Sequence, residues 1–117
     1  REAFGNPIAA YQGVSFPLAD SATEIHAAHL MGLNVAQLLD NGERAIKELS
    51  MTKSYSVQAA VRAVDRAIQT HGAMGFTNEL GLHDAYARVR QANVADGTNE
   101  ILSRTIAQRL FKGDTEL

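Results

Sequence analysis

Ala95-Asp96-Gly97-Thr98-Asn99-Glu100-Ile101 puts a carboxylate, a glycine and a hydroxyl in succession, just ahead of an apolar helical pattern of Ile101, Leu102, Ile106 and Leu110. Thr98 reads as a helix N-cap and Asp96-Gly97 as the tight turn that leads into it. A helix N-terminus offers unpaired backbone N–H groups and a partial positive charge, which suit a phosphate or a developing oxyanion. Asp96 beside it can serve as a general base or as a fixed anion. Taken alone, Asp-Gly-Thr reads first as an ordinary turn and cap. The stretch lacks the alternating Asp or Asn of an EF-hand loop. Gln69-Thr70-His71-Gly72-Ala73-Met74-Gly75 is a helix end running into a glycine-rich loop, where backbone can approach a ligand, although glycine at a helix end is also what any helix favours. His26 and His29 lie three apart, but Glu24 does not complete the Glu-x-x-His spacing of di-iron bundles and no His-Glu-x-x-His occurs, so both are expected to be packed or capped and no metal site is expected. His83-Asp84 opens a helix, where an acid suits the dipole.

Four helical segments must position these groups. Arg1 to Asn6 reads as a connector, with Gly5-Asn6-Pro7 as its turn. From Ile8 a long helix is expected to about Asp40, with Leu18, Ala22, Ile25, Ala28 or His29, Gly32, Val35 and Leu39 in one row and Ala19, Thr23, Ala27, Leu30 and Leu38 in a second. Apolar on more than half its circumference, it belongs inside a bundle or at an oligomer interface. Pro17 should bend it or mark a restart, and Gly42 should end it in the left-handed conformation. A second helix is expected from about Glu43 to Thr70, with Ile46, Leu49, Val57, Ala60, Val61, Val64 and Ile68 as its stripe and Arg62, Asp65, Arg66 and Gln69 on the other side. A third spans about Leu80 to Asn93, with Leu82, Ala85, Tyr86 and Val89 inward. The fourth follows Thr98 and ends near Lys112-Gly113. Long helices with short connections imply an all-α, antiparallel up-and-down four-helix bundle formed by one domain over residues 1–117.

The chain has 117 residues, 45% apolar and 21% charged, with two prolines and a net charge of −2, a balance that favours a packed helical core. There is no basic stripe to meet nucleic acid and no apolar run long enough to span a bilayer. The absence of cysteine excludes disulfides, thiol catalysis and cysteine-ligated metals within the chain. No targeting signal is evident, and a cytoplasmic or organelle-matrix setting is the expectation. The chain opens on Arg1 in mid-pattern and reads as a piece of a larger protein.

Three of these motifs occur in a particular order. Arg1-x-x-Phe4-Gly5-x-Pro7-Ile8, then Gln12 and Ser15-Phe16-x-Leu18-Ala19-Asp20, resembles the start of the C-terminal domain of acyl-CoA dehydrogenases. Gln69-x-x-Gly72-x-x-Gly75-Phe76 resembles that family's Gln-x-x-Gly-Gly-x-Gly segment, with Ala73 in place of the second glycine. Asp96-Gly97-Thr98-Asn99-Glu100-Ile101 resembles its Glu-Gly-Thr-x-x-Ile segment. The resemblance covers the whole chain.

The resemblance implies an FAD-dependent flavoprotein of which this chain is the third part, after a helical and a β-domain. It implies oxidation of the α,β bond of an acyl-CoA thioester: a carboxylate takes the α-proton, the β-hydrogen leaves as hydride to the flavin, and electrons pass to electron-transferring flavoprotein. Asp96 falls where the family carries its catalytic Glu, one carbon shorter in reach, and Gly97 falls at a substrate-contacting position; other members carry their base on an earlier helix. Arg1, Phe4 and Gln12 match positions near the FAD of a neighbouring subunit, and Gln69, Gly72 and Ala73 match the segment approaching that cofactor's ADP portion. Thr98 and Glu100 match positions touching the flavin of their own subunit, with Glu100 in place of a frequent Gln. The family is a homodimer or homotetramer through this domain, in the bacterial cytoplasm or the mitochondrial or peroxisomal matrix. The chain alone is expected to be neither a dehydrogenase nor a tight FAD binder. Two other readings share the bundle: a non-catalytic helical oligomerisation module, and an acyl-CoA oxidase-like enzyme passing electrons to oxygen.

Overall fold

The computed structural model describes residues 1–116. Four helices make the body: α1 (Gln12–Asp40), α2 (Ile46–His71), α3 (Leu82–Gln91) and α4 (Asn99–Phe111). Helix α2 is the centre, and α1, α3 and α4 each pack against it. The expected all-α four-helix architecture holds, with each boundary within a few residues except at the two chain entries described next.

The first entry is a short hairpin. Strands β1 (Glu2–Ala3) and β2 (Asn6–Pro7) pair antiparallel. Its turn is Phe4-Gly5, with φ of +53° and +80°, and not the expected Gly5-Asn6-Pro7. A two-residue hairpin favours a turn with positive φ at both central positions, because that twist matches the strands. Tyr11 then stays extended, its hydroxyl donating to the Ala3 carbonyl at 2.8 Å while its ring meets that of Phe4 edge-on. Helix α1 therefore starts at Gln12, and Ile8–Ala10 forms a separate 3-10 turn. Pro17 causes no restart: α1 runs through it, forfeiting the one hydrogen bond its nitrogen cannot donate.

The second entry is the α1–α2 connection. Gly42 has φ +84°, as expected of the residue that stops α1. Ala45, at φ +43°, is itself left-handed, so α2 cannot include Glu43 to Ala45 and begins at Ile46. Lys47, 1% exposed, holds this corner: its ammonium donates to the Asp114 carboxylate at 2.8 Å and to the Asp114 carbonyl at 3.1 Å, and it also reaches the Glu116 carbonyl.

The packing face of α1 differs from expectation. Ser21 and Val35 are buried against α2, whereas Leu18, Ile25, Leu30, Leu33 and Leu39 are exposed. The cause is electrostatic. Glu24 accepts from Arg62 and from Arg66 of α2, both at 2.8 Å, and Arg66 also takes the Ser21 hydroxyl as acceptor at 3.0 Å. Arg62 and Arg66 thus face α1 rather than the open side of α2. Burial pushes the Glu24 carboxyl up, but the Arg66 and Arg62 hydrogen bonds outweigh it and hold it below its usual range. The inward set of α3, Leu82, Ala85, Tyr86 and Val89, is half-buried as expected.

Candidate functional site

The loop between α3 and α4 is built around two left-handed residues. Asp96 has φ +54° and Gly97 has φ +103°. For a glycine this is free; for an aspartate it costs about 1–2 kcal/mol, part of which its short polar side chain offsets. Lys53, reaching across from α2, donates to the Ala95 carbonyl and, at 2.8 Å, to the Gly97 carbonyl. One ammonium therefore ties down the peptide before Asp96 and the peptide after Gly97, bracketing the turn. The Asp96 side chain is exposed and makes no ion pair among the described residues, and the backbone amides of Asp96 and Gly97 find no acceptor among them.

Thr98 caps α4, its hydroxyl oxygen accepting from the Ile101 amide at 3.4 Å. Glu100 folds back onto the same helix end. Its own backbone N–H and the Thr98 hydroxyl beside its carboxylate hold it below the usual range. Asn99 donates to the Asn93 side chain at 2.6 Å, closing the loop on itself. Thr98 and Glu100 line an open cleft of about 390 Å³ whose other walls include Gln58, Arg62, Arg90 and Asn93. Asp96 and Gly97 do not line this cleft.

A second cavity of about 310 Å³ lies at the far end of α2, lined by Arg1, Ile8, Thr70, His71, Ala73 and Met74. Gly72 ends α2 at φ +63°, and a Cβ there would stand 3.4 Å from Arg1 Nη1. A guanidinium beside a side-chain-free backbone is the chemistry a pyrophosphate needs, so these residues fit a nucleotide's phosphate portion. Gly75 is required for a different reason: a Cβ would sit 2.6 Å from the Ile68 carbonyl oxygen, so glycine lets the Gly72–Phe76 3-10 turn lie directly on α2.

The structure thus brings Arg1 together with Gly72 and Ala73, and Thr98 together with Glu100. Phe4, Gln12 and Gln69 are exposed and line neither cavity. His26 and His29 are exposed on α1 and not packed as expected. Among the described residues no three His, Asp or Glu side chains cluster as metal ligands, and no helix is long and apolar enough to cross a membrane. Sequence reasoning missed Lys53 and Arg90. For Lys53 a signal existed: it falls four residues after Leu49 and four before Val57, a lone cation inside the expected apolar stripe of α2.

These features define an all-α domain with a carboxylate-bearing loop at one helix end and a phosphate-compatible cavity at another. Residues 1–111 match the model of the acyl-CoA dehydrogenase C-terminal domain. The chain is 37% identical over 112 residues to a 3-(aryl)acrylate reductase of Clostridium sporogenes, covering 96% of this chain and 30% of that protein. It is 35% identical over 112 residues to the caffeyl-CoA reductase-Etf complex subunit CarC of Acetobacterium woodii, at 96% and 30% coverage. To the mitochondrial short-chain specific acyl-CoA dehydrogenase of Sus scrofa it is 37% identical over 113 residues, covering 96% of the chain and 27% of that enzyme. Among solved structures, the FAD complex of PigA superposes with a TM-score of 0.92 at 30% identity, over 95% of this chain and 29% of that one. The chain belongs to the acyl-CoA dehydrogenase family, as its C-terminal domain. It spans less than a third of the length of these relatives.

Proposed function

We propose that this domain supplies the proton-abstracting loop and part of the cofactor contacts of an FAD-dependent acyl-CoA dehydrogenase. The observation that carries the reading is the Asp96-Gly97 turn. A non-glycine residue held left-handed beside a half-buried lysine, next to a capped helix N-terminus, is strain at a place where a carboxylate is useful. An α-proton beside a thioester is weakly acidic, so its removal needs a positioned base together with donors for the enolate-like oxygen. Asp96 is the base in this reading, and the open Asp96 and Gly97 amides are donors of the required kind. FAD, when bound, supplies the acceptor for the β-hydrogen. The residues that would hold it fall into two groups: Arg1, Gly72 and Ala73 for the phosphate portion of a neighbouring subunit's cofactor, with Phe4, Gln12 and Gln69 beside them, and Thr98 with Glu100 for the subunit's own flavin. Glu100 stands at the N-terminus of α4, whose partial positive charge offsets part of its negative charge.

The exposed apolar side of α1 supports homodimer or homotetramer formation, since Leu18, Ile25, Leu30, Leu33 and Leu39 face solvent on one helix and an apolar patch of this kind marks an interface. Electron-transferring flavoprotein is the electron acceptor in this reading, and the setting is the cytoplasm or an organelle matrix. The test is the absorption spectrum of the full-length gene product before and after addition of acyl-CoAs. A yellow protein that bleaches supports the reading, a colourless one points to a non-catalytic oligomerisation module, and peroxide formed in turnover points to an oxidase.

A further inference from the structure

We infer that Lys53 is a positioning residue for the dehydrogenation, acting through the peptide that precedes Asp96 and the peptide that follows Gly97; this rests on Asp96 being the base. The peptide bonds of the loop are trans, so in each the C=O and the N–H point in opposite directions. Lys53 draws the Ala95 carbonyl toward α2 and thereby aims the Asp96 N–H the other way. It draws the Gly97 carbonyl at 2.8 Å and so fixes the Gly97–Thr98 peptide as well. With the peptides on either side of the Asp96-Gly97 pair clamped, the turn is held in a left-handed backbone region that aspartate would otherwise leave. The cation has a second effect. A hydrogen bond from an ammonium to the Ala95 oxygen polarises that peptide and makes its N–H a stronger donor. The amide that would receive the thioester oxygen and the carboxylate that would receive the α-proton are therefore set by one side chain, which lines neither of the two cavities.

The experiment uses the full-length holoprotein and compares the parent with Lys53→Met, which keeps the stem and loses the ammonium, with Lys53→Arg, and with Asp96→Asn alone and combined with Lys53→Met. Lys53→Met is expected to slow acyl-CoA-driven bleaching by about tenfold to a hundredfold, the cost of misplacing a reacting group by about 1 Å. Affinity for an enoyl-CoA thioester should fall, while affinity for a thioether analogue lacking the carbonyl oxygen should not. Hydrogen exchange at residues 95–98 should quicken with the centre of α2 unchanged. Lys53→Arg, whose fork keeps charge and donors, should restore part of the rate, and the double variant should lose less than the product of the two single losses. A Lys53→Met protein with parental rate and parental exchange overturns the inference. So does one that loses thioester and thioether affinity alike, because that marks a packing role. Asp96→Asn at parental rate overturns instead the reading of Asp96 as the base, and the catalytic part of this inference with it.

Discussion

Asp96→Asn separates the chemistry of the loop from its architecture. Asn has nearly the same shape as Asp and the same tolerance of left-handed backbone, so the φ of +54° is retained. Asp96 is exposed and no ion pair to it exists among the described residues, so the substitution should leave unfolding free energy within about 0.5 kcal/mol of the parent, the usual range for such surface sites. The carboxamide cannot accept a proton, and loss of a general base costs about a hundredfold to ten-thousandfold in rate, equivalent to about 2.7–5.4 kcal/mol of barrier. The variant should therefore be folded, yellow and close to inert when acyl-CoA is added anaerobically in a stopped-flow spectrometer. Two companions sharpen the result. Asp96→Gly relieves the left-handed strain of about 1–2 kcal/mol but adds about 0.5–1 kcal/mol of chain entropy to the unfolded state, so it should be equally inert and slightly more stable. Asp96→Glu should match or exceed the parent if the site keeps the spacing of a longer side chain, and be slower if the site has closed around aspartate. Turnover of Asp96→Asn at the parental rate would refute the reasoning and move the base to another segment of the protein.

Other expectations follow from single contacts. Gly75→Ala would drive a Cβ to 2.6 Å from the Ile68 oxygen and 2.9 Å from its Cα, both backbone atoms that cannot step aside, so urea unfolding should show a loss toward the upper end of about 1–3 kcal/mol; an unchanged midpoint would mean that the turn lifts off α2 at little cost. The Lys47 hydrogen bond, aided by Arg109 at 3.0 Å, holds the Asp114 carboxyl below its ordinary value of 3.8, so its stabilisation is present above that value and is lost as pH falls through the native one. Lys47 is raised above its ordinary 10.5, chiefly by Asp114 and then against burial, so its contribution is present below 10.5 and is lost as pH rises through the native value. Melting temperature against pH should show both limbs, and Asp114→Asn should flatten them. Ile25 and Leu33 of α1 are 55% and 53% exposed, and replacing both by Glu should lower the mass that light scattering reports for the full-length protein; an unchanged mass would place the interface elsewhere.

The sequence by itself determined what depends on neighbours along the chain. Four helices, the Gly42 stop, the Thr98 cap and the inward side of α3 follow from periodicity and turn chemistry, which act over a few residues. The order of three motifs was legible for the same reason, and it carried the family. Tertiary structure alone decided which face of α1 packs. The apolar rows on that helix were nearly balanced, and the choice fell to Glu24 meeting Arg62 and Arg66, residues 38 and 42 positions away. The start of α2 depends on a left-handed Ala45 beside Lys47, whose anion lies 67 residues on. The carboxylate loop divides in the same way. Asp96, Gly97 and Thr98 announce themselves by type and spacing, but the group that holds them is Lys53, 42 and 44 residues before the carbonyls it binds. A lysine in an apolar stripe signals that something across the fold needs its charge, and only the packing of α4 on α2 says what.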